Sequence, residues 1–514
     1  MLTRVEPDLT AATDDPRPRA IVIGAGFGGL ASAIRLSAKG YNVHVLDRLE
    51  TPGGRGTAIV RDGYRFDLGP TIVTAPQVFR ELWAAAGEDF DKDVTLHAMD
   101  PFYEIRWQDG SSLRAHADPE KTRAEIAKLA PDDLAGYDWL IRAAERRYHF
   151  GFENLGRRPM NRFLDLARVL HIFAWYRADR SIHAHVARKV RDPRLRMALS
   201  FHPLFIGGDP FHVTSMYALV HHLESQFGVH YAMGGAQALA DGMANVIKRK
   251  GGTLSQGVEV DEIIVEQGRA KGIRTLAGQR LDADVVVSNA DAGHTYTRLL
   301  RSHKRRRWTD ARLHRTRWSM GLFIWYFGTR GTRDMWSDVG HHTILNGPRY
   351  QGLVQDIFQN GHLADDMSLY VHRPSVTDPT AAPDGDDSFY ALSPVPHLGF
   401  ENSVDWQAQA EPYRQKVQDF LERSLLPGLG DRVTASHVMT PPDFGERYLS
   451  PHGCGFSIEP RILQSAWFRP HNVSEEVPGL YLTGAGTHPG AGLPGVVASA
   501  EVLAKLVPDA ETVR

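Results

Sequence analysis

The hexapeptide Gly24-Ala25-Gly26-Phe27-Gly28-Gly29 constrains this chain more than any other feature. The run Ala20–Ile23 before it is short, apolar and β-branched, the pattern of a strand buried on both faces. The stretch after it places Leu30, Ala33, Ile34 and Leu36 on one side of a helix. Strand, glycine turn and helix start together make a GxGxxG arrangement. The first glycine permits the tight turn, the second lets a pyrophosphate approach the backbone, and the third lets helix and strand pack closely. The free N–H groups of the helix start favour an anion there. A second strand pattern, Tyr41–Asp47, ends on an acid able to accept hydrogen bonds from a ribose diol. The reading is a βαβ dinucleotide-binding unit; the alternative is a structural glycine turn.

A second glycine loop separates the possible dinucleotides. Thr51-Pro52-Gly53-Gly54-Arg55-Gly56 lies just past the ribose acid. Gly53 and Gly54 allow close backbone approach, and Arg55 offers a positive fork to a phosphate. An NAD domain does not need this loop, whereas a bipartite FAD domain commonly has one. At the other end of the chain, Gly484, Gly486, Gly490, Gly492 and Gly495 crowd a loop between a strand and a helix, with Pro494 at the first helical turn. That helix start can face the side of a reduced flavin where negative charge develops. The predicted cofactor is FAD, held by Gly24, Gly26, Gly28, Gly29, Asp47, Gly53, Gly54, Arg55, Gly484, Gly486 and Gly495, with Val260 and Val496 counted among the contacts.

With 514 residues the chain exceeds one compact core, and two or three units are expected at roughly 100–200 residues each. A composition of 42% apolar and 23% charged residues is that of a folded globular protein, and a net charge of −2 gives no general pull toward nucleic acid. Cys454, the single cysteine, fits a reducing compartment. No secretory leader and no run long and apolar enough to span a bilayer is read. The expected organisation is a disordered tail over 1–17, FAD-binding segments at 18–73, 232–292 and 478–514, a substrate and helical membrane-facing part at 74–231, and a second substrate pass at 293–477. The fold class is α/β, with a Rossmann-like bipartite FAD domain carrying the inserted material. The 24 histidines show no metal-ligand spacing, so no metal is assigned.

The strings GAGFGGLASAIRL, DRLETPGGR, DGYRFDLGPTIVTAP, SFHPLFIGGDPF, GPRY, PVPHLG, QSAWFRPHN and YLTGAGTHPGAGLPGV resemble the bacterial-type phytoene desaturase family of FAD-dependent carotenoid oxidoreductases, from about Pro18 to about Val507. The resemblance implies dehydrogenation of phytoene, a long polyene hydrocarbon, toward neurosporene or lycopene. Because an unactivated allylic C–H is a very weak acid, hydride leaves for the flavin first and a proton is lost second. Aromatic faces can stabilise the intervening cation. Apolar burial alone must hold such a substrate, and Phe201, Leu204, Phe205, Ile206, Phe211, Met216, Tyr217, Trp325, Tyr326 and Phe327 are candidates for a tunnel. Other readings are a desaturase of a later carotenoid, an amine-oxidase-like enzyme, or a lipid carrier of the same fold without catalysis.

The segment Asn161–Arg177 patterns as a helix with one narrow polar stripe, which includes Asp165 and Arg168, on a wide apolar face. Either the apolar face dips into a bilayer interface, or Asp165 serves as base or cation stabiliser with Arg168 orienting it, or the pair is routine. The basic run His303–Arg307 with Arg312, Arg315 and Arg317 can meet anionic headgroups. The expected setting is peripheral, on the cytoplasmic side of a membrane, with oxygen or a quinone as final electron acceptor and no nucleic-acid partner.

Overall fold

The computed structural model describes Leu9 and residues 15–513, so the tail expected over 1–17 lies largely outside the described residues. The fold is α/β, as expected. Its first layer is a five-stranded parallel sheet ordered Leu480–Leu482, Val285–Ser288, Arg19–Ile23, Asn42–Asp47, Thr253–Gln256. The strands come from the beginning, middle and end of the chain. The three strands at Leu480–Leu482, Val285–Ser288 and Arg19–Ile23 are mostly apolar because helices cover the sheet. Helices Phe27–Ala38, Gly235–Arg249 and Leu493–Leu506 bury Leu30, Ile34, Leu239, Met243 and Val497 completely in the core that includes Val43, Val45 and Val287. Each such side chain contributes about 1.5–3 kcal/mol. The helix Gly235–Arg249 stops at Gly251, whose φ of +77° supplies the left-handed residue, with Lys248 and Arg249 at its negative end.

A separate antiparallel sheet follows in the chain, Val260–Glu266, Arg269–Thr275 and Arg280–Asp282. Its first hairpin turns at Gln267-Gly268, both at positive φ, the geometry that matches strand twist.

The inserted material builds a seven-stranded mixed sheet ordered Val433–Met439, Gly321–Thr329, Asp387–Val395, Leu369–His372, His342–Leu345, Tyr103–Arg106, Ser112–Ala115. Both insertions feed this one sheet. In the strand Gly321–Thr329 every residue is buried, and the two faces serve different cores. Phe323, Trp325 and Phe327 pack with Trp406, Tyr413 and Leu421 on one side. Leu322, Ile324 and Tyr326 face the other side, as the period of two requires.

The first insertion also supplies the helices Pro119–Leu129, Leu134–Tyr148, Phe163–Trp175 and Leu219–Phe227. The helix expected over Asn161–Arg177 spans Phe163–Trp175; Arg177 then turns the chain at φ +52°, and Ile182–Val186 begins a new helix behind the Ser181 cap. Among the described residues no helix is long and apolar enough to cross a membrane.

Candidate functional site

Gly24, at φ +93°, turns the chain out of the first strand, and its N–H donates to Leu46 O at 2.7 Å. A Cβ on Gly29 would lie 2.0 Å from Gly24 O, and one on Gly28 would lie 2.6 Å from Asn289 Oδ1 and 2.9 Å from Gly484 Cα. Glycine is therefore demanded here by helix–turn and chain–chain approach. The helix Phe27–Ala38 starts at Gly26 with no side chain capping its first N–H groups. Those donors open on a cavity of about 710 Å³.

Asp47 ends the second strand and reaches back to the turn. Its Oδ2 accepts from Ala25 N at 2.5 Å and its Oδ1 from Leu49 N at 2.7 Å. Burial raises its pKa, and the two amide donors and neighbouring arginines oppose that shift. Gly53 N donates to Ala25 O at 2.8 Å, which lays the second glycine loop beside the first. A Cβ on Gly54 would sit 3.1 Å from Gly26 Cα. Arg55 donates through Nη2 to Ser450 Oγ and stands 5.7 Å from the Tyr448 ring centroid, while its buried Nε has no partner among the described residues.

The C-terminal loop closes the same cavity. Gly484, Gly490 and Gly492 are all at positive φ, and the helix Leu493–Leu506 starts at Gly492 without a side-chain cap and with proline in its first turn. Two residues that sequence reasoning missed hold this loop. Arg469 is buried and donates to Ile458 O and Ala485 O, both at 2.8 Å. Asn472 Nδ2 donates to His488 O at 3.0 Å and to Ser499 Oγ at 2.9 Å. Both lie in the string QSAWFRPHN, a short way before the glycine loop, and that proximity in sequence was the available signal.

Of the residues expected at the cofactor, Gly24, Gly26, Gly28, Asp47, Gly53, Gly54, Arg55, Val260, Gly484, Gly495 and Val496 line this one cavity. Gly29 and Gly486 do not. Gly29 packs on Gly24, and a Cβ on Gly486 would meet Ala292 Cβ at 2.9 Å, so both serve backbone packing.

The cavity continues from the glycines into an apolar arm. Leu204, Phe205, Ile206, Met216, Tyr217 and Tyr326 line it, as expected of a tunnel. Trp325 and Phe327 do not, because the pleat of their strand turns them into the opposite core. Phe201 is core beside the arm, and Phe211 packs on His183 and Tyr350. Leu166, Leu170 and Phe173 bring one side of the helix Phe163–Trp175 to the cavity. Leu170 and Leu463 line the cavity and are also 51% and 69% exposed, so the arm opens beside this helix. Phe163, Leu164 and Trp175, on its outer side, are 61%, 63% and 84% exposed.

The structure does not bring Asp165 and Arg168 to the cavity. Asp165 Oδ2 accepts from Arg162 N at 2.9 Å, which ties its carboxylate to the backbone at the helix start, and Arg168 lies 3.9 Å away with its side chain 77% exposed. A carboxylate so engaged stabilises the helix end; it is not directed at a substrate in the arm. The basic run is partly neutralised. Arg305 pairs with Asp310 at 2.7 Å, Arg307 with Glu475 at 3.4 Å, and Arg307 also stacks 4.6 Å over Trp467, which meets Phe163.

Although no metal is assigned from the sequence, the fold gathers His341, His342 and His372, and separately His202, His221 and Glu224, with ligand atoms within 4.8 Å in each group. In the first group His341 Nε2 and His372 Nε2 are hydrogen-bonded at 2.9 Å, and His342 Nδ1 meets Tyr370 OH at 2.6 Å. Burial holds all three imidazoles neutral.

Two uncapped helix starts, a strand-end acid and paired glycine loops around one cavity define a dinucleotide-dependent oxidoreductase with a bipartite nucleotide domain. The chain belongs to the flavin-containing amine oxidoreductase family, which it matches over residues 27–507. It is similar to the neurosporene-forming phytoene desaturase of Cereibacter sphaeroides, with 62% identity over 508 residues covering 99% of this chain and 98% of that one. Its identity to the lycopene-forming phytoene desaturase of a Paracoccus species is 42%, covering 95% and 97% of the two chains. Among solved structures, an oxidoreductase from Methanosarcina mazei aligns with a TM-score of 0.64 at 19% identity, over 95% of this chain and 100% of that one, a likeness of fold.

Proposed function

We propose that this chain binds FAD and desaturates phytoene, forming neurosporene. A single structural observation carries the reading: one cavity runs from a dinucleotide cradle into an apolar arm that opens beside an exposed apolar helix. The extensive identity to a neurosporene-forming desaturase supports the choice of substrate and product.

The residues present fit FAD. Gly26, Gly28 and Gly54 leave no side chain between backbone and cavity, the uncapped helix start at Gly26 offers N–H groups to a pyrophosphate, and the unpartnered Nε of Arg55 provides a further donor. Asp47 would meet the ribose. When bound, FAD supplies the hydride acceptor, and the chain supplies position and electrostatics. The helix start at Gly492, which no side chain caps, would offer its N–H groups to the side of the flavin where negative charge accumulates. Leu204, Phe205, Met216 and Tyr326 hold a hydrocarbon by burial alone, at about 25 cal/mol per Å² of apolar surface, and exclude water from the reacting carbons.

The same reading places the protein on the cytoplasmic surface of a membrane, with the exposed Phe163, Leu164 and Trp175 in the interface and the neighbouring basic run against anionic headgroups. The substrate enters from the bilayer, and oxygen or a quinone takes the electrons afterwards. The test is incubation of purified, FAD-loaded protein with phytoene in anionic liposomes. Appearance of neurosporene, identified by absorption and mass, is expected; unchanged phytoene with flavin bound contradicts the reading.

A further inference from the structure

Desaturation in this arm releases a proton as well as a hydride, and the expected base, Asp165, is spent on a helix cap. The other carboxylates that line the cavity each hold a partner too, although Asp67 Oδ1 and Asp291 Oδ2 are left without a hydrogen bond among the described residues. Asp47 holds two backbone amides, Glu259 pairs with Arg48 at 3.1 Å, and Asp291 caps Gly293 N at 2.9 Å. Asp67 accepts from Tyr231 OH at 3.3 Å and lies under Gly235, where the helix Gly235–Arg249 begins.

Glu224 differs from these in its partners, which are two side chains, with no backbone amide and no arginine among the described residues. It lines the cavity from the helix Leu219–Phe227 and is 5% exposed. Tyr103 OH donates to its Oε2 at 3.2 Å, and His202 Nε2 reaches the same oxygen at 3.2 Å. Both contacts fall on Oε2, which leaves Oε1 as the oxygen with no hydrogen bond among the described residues. Its ion-pair partner among the described residues is His202, with no Lys or Arg. A buried carboxylate held this way is costly in an apolar wall, and a hydrocarbon substrate has no polar atom for it to recognise. His202 also lines the cavity, and the short turn His202–Ile206 ends beside the flavin-side loop, where a Cβ on Gly492 would lie 3.3 Å from Ile206 Cγ2.

We propose that Glu224 accepts the proton released in desaturation, with Tyr103 and His202 as positioning residues that hold its Oε2 and leave Oε1 to the substrate. The inference rests on the phytoene desaturase reading. One C–H bond of a CH2–CH2 pair breaks with both electrons leaving as hydride to the flavin oxidant, giving an allylic cation. The adjacent C–H then breaks, its electron pair forms the new C=C bond, and the proton passes to Oε1, turning the carboxylate into a carboxylic acid. Burial pushes the Tyr103 phenol well above its ordinary pKa, so it stays a donor throughout.

The experiment compares the FAD-loaded wild type with Glu224→Gln on phytoene deuterated at one or the other carbon of the reacting pair. Wild-type turnover tests the desaturase reading separately: if the wild type leaves phytoene unchanged, that reading fails and takes this one with it. Given wild-type turnover, Glu224→Gln should keep its FAD and slow desaturation by at least about 100-fold, in line with loss of a general base. Its isotope effect should rise at the proton-losing carbon and not at the hydride-losing one. Near-normal turnover, or slow turnover with both isotope effects unchanged, overturns the assignment. If the glutamine variant does not fold, Glu224→Asp takes its place and should show the same selective rise, whose absence overturns the proposal. Because His221 completes a group of possible metal ligands, the metal content of the holoenzyme is measured too: a stoichiometric metal lost on substitution of Glu224 makes it a ligand and overturns its role as acceptor.

Discussion

Gly28 and Gly484, from opposite ends of the chain, approach so closely that a Cβ on Gly28 would lie 2.9 Å from Gly484 Cα. The first and last glycine loops thus close one cradle only because neither residue carries a side chain. Gly28→Ala should lose bound FAD and about 1–3 kcal/mol of stability through overpacking. Flavin absorbance per chain and a urea melt measure the two effects, and a variant with full flavin content contradicts the described closure.

The exposed side of the helix Phe163–Trp175 should be a membrane contact. Replacing Phe163, Leu164 and Trp175 with serine removes side chains that are 61%, 63% and 84% exposed, so the fold and the FAD should survive. Flotation with anionic liposomes should weaken strongly, and flotation equal to that of the parent would exclude this surface as the anchor.

Asp165→Ala should retain most desaturation and lose about 1 kcal/mol, because its carboxylate accepts a helix-start N–H 2.9 Å away. Abolished turnover with FAD and melting behaviour intact would restore it as a catalytic group.

The contrast between Asp165 and Glu224 shows where sequence reasoning stops. The glycine turns, the strand-end Asp47 and the Gly53–Arg55 loop were legible because each obeys a local rule of backbone space or helix ends. The apolar arm was legible as composition, yet Tyr326 and its neighbours Trp325 and Phe327 part to opposite faces, and nothing in a uniformly apolar strand says which face meets the cavity. The polar stripe on residues 161–177 was also legible, but whether it points to a substrate or closes a cap depends on how the helix is docked. The group Tyr103, His202 and Glu224 comes from three separated stretches and exists only once the chain is folded.

Acid should unfold the protein early. Burial pushes His44, His221, His397 and His488 down to about 4, below the unfolded value of about 6.5. With the folded pKa below the unfolded one, the unfolded chain binds more protons as pH falls, so stability present above about pH 6.5 is lost toward pH 4, up to about 3 kcal/mol for each group. Asp67, raised by burial to about 6, acts in the opposite sense over the same window and offsets part of the loss. Urea midpoints from pH 7 to pH 4 should fall steeply, and a flat profile would contradict the burial of these imidazoles.

One cavity joins the nucleotide cradle to apolar walls suited to phytoene. Expression of this chain in cells that accumulate phytoene, with extraction and pigment analysis, tests it most directly. Phytoene should decline and neurosporene accumulate, and both effects should vanish with Gly28→Ala. Phytoene left untouched by a folded, flavin-loaded protein would contradict it.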